Sequence, residues 1–188
     1  MDNRDAISRP RHESCREPTS SLDEIDFFLL DLLQRDCSVS VNDLAEAAHL
    51  TPSPCWRRIN RLKEEGYIRR QVALLSSEKL GLGTVVFVNI RLSAQARPKL
   101  MEFAETMKRI PEVTECFVTL GSSDFLLKVI TKDIKTYETF FFNRLSILPD
   151  IEEIQSTIAL AEIKVTTELP IFRRALGESE VRYRSNDA

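Results

Sequence analysis

Residues 22–68, LDEIDFFLLDLLQRDCSVSVNDLAEAAHLTPSPCWRRINRLKEEGYI, decide how the first part of the chain folds. Leu22, Ile25, Phe28, Leu29, Leu32 and Leu33 recur at three- and four-residue steps, the stripe of an amphipathic helix. Asp23, Glu24 and Asp26 crowd its first turn, where the helix macrodipole favours acids. A second short helix is expected in VNDLAEAAHL, with Leu44, Ala45 and Ala48 on one face. Thr51 then suits an N-cap, and Pro52 suits the first helical position, which needs no N–H. A third helix is expected from Pro52 to Glu65, ended by Gly66. Three short helices with a tight turn before the last form a helix-turn-helix pattern, whose last helix can enter the DNA major groove.

From Tyr67 the period changes. IRRQVALL reads as a connector strand, SSEKLGLG as a loop, and TVVFVNIRLS as a longer strand rich in Val, Ile and Phe. PKLMEFAETMKRI is amphipathic, with Leu100, Phe103, Ala104, Met107 and Ile110 on one side. VTECFVTL and FLLKVIT flank the turn GSSD as a hairpin, and IKTYETFFFNRLSIL is a further helix before a final strand region, IEEIQSTIALAEIKV. The order from Thr84 is thus β-α-β-β-α-β, a ferredoxin-like unit. The expected class is α+β, with a three-helix helix-turn-helix domain at 22–67 and a connector strand and hinge at 68–82. A ferredoxin-like domain follows at 83–170. Residues 1–21 are rich in Arg, Ser, Pro and acids and are expected as a disordered tail, with a second flexible tail at 171–188. Of Phe140, Phe141 and Phe142 one must leave its own core, because adjacent helical positions diverge by ~100°.

The chain has 188 residues, 26 Lys+Arg against 29 Asp+Glu, and a formal net charge of −3, so any nucleic-acid function must sit in a local patch. Such a patch exists between Thr51 and Arg70. Basic residues 57, 58, 61, 63, 69 and 70 there face acids 64 and 65 only, a local excess of +4. The 43% hydrophobic and 29% charged fractions exclude a wholly disordered chain or a disulfide scaffold. No apolar run approaches the ~18–20 residues of a membrane span, so no membrane partner is expected. Residues 1–21 hold no apolar block of a secretory signal. Cys15, Cys37, Cys55 and Cys116 form no CxxC pair, so reduced thiols and a cytoplasmic location are expected. The only histidines, His12 and His49, are far apart, so no His-rich metal site or His-based catalytic cluster is expected, and neither a cofactor nor an enzymatic activity is assigned to the chain.

On the third helix Cys55, Ile59 and Leu62 form the buried stripe, and Ser53, Trp56, Arg57, Asn60 and Arg61 lie mostly opposite. Arg can fork onto guanine, Asn can read adenine, and Ser is tolerant. Arg58, Lys63, Arg69 and Arg70 suit phosphates. A solvated basic face is the competing reading, and the capped helix, the preceding helix pair and the charge asymmetry together favour DNA. Trp56 has two uses open to it: contact with a sugar or thymine methyl, or packing on the first helix.

These residues carry a resemblance. Leu22-Asp23-x-x-Asp26, the run from Leu30 to Gln34, and Ser53-Pro54-Cys55-x-Arg57-Arg58 ending in Leu62-x-x-x-Gly66 resemble the DNA-binding domain of the Lrp/AsnC (feast/famine) transcription regulators. Gly121-Ser122-Ser123-Asp124-Phe125 stands where that family has a Gly-x-x-Asp-aromatic turn, and the resemblance runs to about Pro170. It implies a winged helix-turn-helix, an ACT-like effector and oligomerisation domain, and sequence-specific regulation of amino-acid metabolism. It also implies double-stranded operator DNA and a small amino acid as partners, with a homodimer that can build higher oligomers such as an octamer. Lys164-Val165-Thr166-Thr167-Glu168-Leu169-Pro170 is similar to a subgroup that controls amino-acid catabolism.

Alone, Gly-Ser-Ser-Asp is ordinary turn chemistry. The resemblance assigns the effector to Leu120, Gly121, Ser122, Ser123, Asp124 and Phe125. N–H and hydroxyl groups would cradle its carboxylate, and Asp124 would take its ammonium. Sirohaem decarboxylases resemble the same architecture, but this chain has no histidine after His49 to face a haem. A DNA-compacting protein with little sequence choice is the other alternative.

Overall fold

The computed structural model describes residues 22–95 and 97–171. The tails expected at 1–21 and beyond 171 lie outside the described residues. Helices α1 (Glu24–Arg35), α2 (Val41–Ala47) and α3 (Pro52–Glu64) come first, then β1 (Thr84–Leu92), α4 (Leu100–Lys108), β2 (Val113–Val118), β3 (Phe125–Thr131), α5 (Ile134–Phe140) and β4 (Ile151–Ile158). By compactness the described chain forms two bodies: residues 22–72 with 166–171, and Ala73–Val165. In this division by compactness residues 166–171 fall with the first body.

In the first body Asp23 and Asp26 cap α1 reciprocally. The Asp26 N–H donates to Asp23 Oδ1 at 2.8 Å, and the Asp23 N–H donates to Asp26 Oδ2 at 3.2 Å. Ser40 caps α2 by accepting the Asp43 N–H at 3.2 Å. His49, at φ +54°, turns the chain between α2 and α3. Thr51 occupies the N-cap position of α3 but makes no side-chain cap bond. The reason is Pro54, which removes the third-position N–H that such a hydroxyl commonly reaches. Gly66, at φ +82°, ends α3; its N–H returns to the Lys63 carbonyl at 3.1 Å. Leu29, Leu44, Ala45, Cys55 and Ile59 are the buried core, with Ile25, Leu32 and Leu33 packed against it.

After Gly66 the connector strand expected at Ile68 to Leu75 does not form; the segment is irregular. A strand exists only as part of a ladder, and no described strand pairs with this one. Val72, Leu74 and Leu75 remain exposed.

The second body is a four-stranded antiparallel sheet in the order β2-β3-β1-β4, with α4 and α5 in the connections. Alternation along β1 points Val86, Val88, Ile90 and Leu92 into the core, where they meet Met107, Phe125, Leu127, Val129, Tyr137 and Leu145. The Tyr137 hydroxyl and the Ser156 hydroxyl, 2.5 Å apart, tie α5 to β4. Phe140 is buried and Phe141 half-buried, and Phe142 is the outlier at 59% exposure. Opposite the core, Phe87 and Phe117 stay exposed on the other face of the sheet beside the Lys128–Glu115 ion pair at 3.5 Å. The final strand ends at Ile158, short of the expected Val165.

Candidate functional site

Ser53, Trp56, Arg57 and Lys63 are exposed and Asn60 is half-buried, all on the side of α3 away from Cys55, Ile59 and Leu62. The steps from 53 to 56, 60 and 63 place four of them along one ridge. Trp56 is 57% exposed, so it belongs to this outer ridge and not to the core. Arg69 and Arg70 follow, both exposed.

Arg58 and Arg61, expected on the DNA-facing side, are used otherwise. Both guanidiniums converge on Asp26, a residue of α1 whose side chain is 1% exposed. Arg58 Nη1 lies 2.8 Å from Asp26 Oδ1 and 2.7 Å from Asp23 Oδ2, and Arg61 Nη2 donates to Asp26 Oδ2. The physical reason is the burial of Asp26: a carboxylate withdrawn from water needs charge-assisted partners. Two arginines of α3 thus hold the helix against α1. The sequence signal was present in Leu22-Asp23-x-x-Asp26, but nothing local linked it to residues 58 and 61.

Burial works to raise the Asp23 pKa, but the Asp26 N–H and the Arg58 guanidinium outweigh it and hold it below its ordinary value. A carboxylate whose folded value is lowered adds stability that is complete above the unfolded value and lost as pH falls through the folded one. Asp23→Ala is therefore expected to destabilise the first body by about 1 kcal/mol near neutral pH, chiefly through the lost cap. The gap in urea midpoint should narrow as pH falls through the lowered folded-state value of Asp23. A gap of equal size in acid would refute the charge-based part of this account.

In the second body the hairpin turn runs from Thr119 to Asp124. The Thr119 N–H donates to the Asp124 carbonyl at 2.9 Å and its hydroxyl to the Ser123 carbonyl at 2.7 Å. Leu120 and Gly121 are exposed, and a side chain at Gly121 would meet open space. Ser122 and Ser123 line a cavity of about 170 Å³ with Asn89, Arg91, Glu153 and Gln155. The last four come from the outer positions of β1 and β4, where Asn89 opposes Gln155 and Arg91 opposes Glu153. Arg91 Nη2 is 2.8 Å from Glu153, and the Ser123 hydroxyl donates to Asn89 Oδ1 at 3.3 Å. These four residues were missed from sequence. The signal was Asn89 and Arg91 interrupting an otherwise apolar strand.

Two expected effector residues are placed differently. Phe125 is fully buried and packs on Phe103 with ring centroids 4.8 Å apart, because the alternation of β3 turns it inward. The Asp124 carboxylate accepts the Leu92 N–H at 2.8 Å and so holds the end of β1 to the turn. Its Oδ2 is thereby already bonded.

Among the described residues no helix is long and apolar enough to cross a membrane, and no group of three or more His, Cys, Asp or Glu could hold a metal ion. Burial raises the Cys55 thiol pKa, which suits a core thiol.

Residues 22–69 match a winged helix-turn-helix DNA-binding domain, and residues 85–169 match the Lrp/AsnC ligand binding domain. The DNA-binding transcriptional activator DecR of Escherichia coli (strain K12) is 39% identical over 150 residues, which are 80% of this chain and 99% of that protein. The crystal structure of an AsnC family transcriptional regulator from Agrobacterium tumefaciens superposes with a TM-score of 0.76 at 38% identity, covering 80% of this chain and 98% of that one. An L-Met complex of a transcriptional regulator from Neisseria meningitidis gives a TM-score of 0.76 at 34% identity, covering 80% and 97%. With both domains matched in order and a relative this similar along nearly its whole length, the chain belongs to the Lrp/AsnC family of transcriptional regulators.

Proposed function

We propose that this protein regulates genes of amino-acid metabolism by reading an operator with the outer ridge of α3 and answering to an amino acid held beside the turn at 120–123. The observation that carries the DNA reading is the division of α3: Arg58 and Arg61 are engaged by Asp26, while Ser53, Trp56, Arg57 and Lys63 stay exposed beside Asn60. Arg57 and Asn60 take the base edges, Ser53 and Trp56 flank them, and Lys63 and Arg69 meet phosphates. Arg58 and Arg61 position the helix.

An amino-acid effector is supported by the Neisseria relative, which was crystallised with L-Met. In this chain the zwitterion meets the hydroxyls of Ser122 and Ser123 and exchanges into the Arg91–Glu153 ion pair, its carboxylate taking Arg91 and its ammonium taking Glu153. Melting the protein with each of the twenty amino acids tests this, since a ligand of the folded state raises the apparent melting temperature. No shift with any of them rejects the site. The operator reading is tested by affinity for operator against scrambled DNA at stated salt. Equal affinity for both would favour a DNA-compacting protein.

The protein acts as a homodimer in the cytoplasm, pairing the open sheet faces. The motive is Phe87 and Phe117, exposed on the face of the sheet opposite the core that no described helix covers, where a second copy would bury them. Phe87→Glu is expected to leave the fold intact and convert the dimer to a monomer at micromolar concentration. Sedimentation of this variant as an unchanged dimer would place the interface elsewhere.

A further inference from the structure

The end of the described chain makes one contact that neither the DNA reading nor the effector reading uses. Gln34, near the end of α1, holds the backbone of Leu169 from both sides. Its Nε2 donates to the Leu169 carbonyl at 3.0 Å, and its Oε1 accepts the Leu169 N–H at 2.8 Å. The residues are 135 positions apart in sequence. The neighbouring Arg35 Nε lies 3.9 Å from Glu168 Oε2.

This docking surface is pre-organised. Asp31, buried one turn earlier on α1, accepts Gln34 Nε2 at 3.0 Å and pairs with Arg35 Nη2 at 2.6 Å. The two side chains that meet residues 168 and 169 are thus both set by one anchored carboxylate, which lowers the entropy lost when the segment docks. The segment is shaped as well: Glu168 N–H bonds the Thr166 hydroxyl at 3.1 Å, and Ile171 N–H bonds the Leu169 carbonyl at 2.8 Å. A primary amide that pairs one residue's N–H and C=O reads backbone and not side chain. Accordingly the Leu169 side chain stays 66% exposed.

The covalent path gives the contact its meaning. Upstream of the docked segment, residues 159–165 form no helix or strand and lead directly from β4. β4 carries Glu153 and Gln155, two walls of the effector cavity. Downstream, α1 carries Asp26, which grips Arg58 and Arg61 of the recognition helix. We propose that residues 166–171 are a strap docked on the last turn of α1, and that this strap carries the effector's influence from β4 to the DNA-reading helix. The proposal rests on the effector reading above. A ligand that prefers one arrangement of β4 then biases α3 through two covalent links and two polar grips, the physical coupling that allostery requires.

The experiment uses the full-length protein, with operator affinity measured with and without each of the twenty amino acids at millimolar concentration. In the wild type the active amino acid is expected to change operator affinity within the usual range of about 5–150-fold. Gln34→Ala should bring that ratio to below about twofold while leaving the ligand-induced melting shift in place. Leu169→Pro, which lacks the N–H, should do the same, whereas Leu169→Ala, which keeps it, should behave as wild type. That contrast separates a backbone strap from an apolar packing role, which alanine would disturb. Amide exchange of Leu169 supplies an independent reading: slow in wild type, fast in Gln34→Ala. Fast exchange in the wild type, or full coupling in Gln34→Ala and Leu169→Pro, overturns the strap. If no amino acid changes wild-type operator affinity while Leu169 stays protected, the effector reading fails and the relay with it, although the docking stands.

Discussion

Asp26→Ala is expected to lower the stability of the helix-turn-helix body by about 3 kcal/mol, the low end for breaking a buried ion pair by removing one partner. The site is central because Asp26 takes both Arg58 and Arg61 while its own side chain is 1% exposed. Its removal leaves two guanidiniums facing a small void. Their side chains keep 28% and 37% exposure, so they rehydrate in part, which sets the effect at the low end. The reciprocal cap also loses the acceptor for the Asp23 N–H. In urea the first body should unfold earlier at unchanged slope, with the transition of the second body unmoved. Operator binding should fall with it, since α3 is no longer held to α1. Asp26→Asn keeps the shape and one acceptor and should fall between the two. A wild-type midpoint for Asp26→Ala would show that the ion pairs contribute nothing net, as exposed pairs often do.

Arg57→Ala is expected to cost ~1–3 kcal/mol of operator discrimination, about five- to 150-fold in the affinity ratio between operator and scrambled DNA. Arg57 is exposed on α3 and, in the arrangement proposed above, its fork is free to address base edges. Asn60→Ala should lose a similar amount at a different base, since an amide pairs adenine and a guanidinium pairs guanine. Because each contact belongs to its own base pair, the double variant should lose about the sum. Lys63→Ala supplies the contrast. It should weaken binding to all sequences alike and reduce the salt slope by about one. If Arg57→Ala changes operator and scrambled DNA equally, Arg57 is a phosphate contact. Melting curves should match wild type in all three variants, because none of these side chains is in the core.

What the sequence by itself determined was every element whose cause is local. The three- and four-residue spacing of Leu29, Leu32, Cys55, Ile59 and Leu62 is readable because a helix repeats every 3.6 residues. The inward set on β1 is readable because a strand alternates. Gly66 as a helix end, and the need for one of Phe140, Phe141 and Phe142 to leave the core, follow from backbone freedom and helical angle alone, whereas packing decided that the outlier is Phe142. The tertiary structure decided what depends on partners far along the chain. Residues 68–75 have strand composition but no described ladder partner, so composition alone did not make them a strand. Arg58 and Arg61 look like Arg57 in a one-dimensional reading. Only the approach of α1, some thirty residues away, separates helix-holding arginines from an exposed one. Asp124 bonds Leu92, 32 positions away, and Gln34 bonds Leu169, 135 positions away. Such pairings are set by which surfaces the packed cores bring together. No periodicity records them, because the free energy that selects them belongs to contacts formed only after the helices and strands exist.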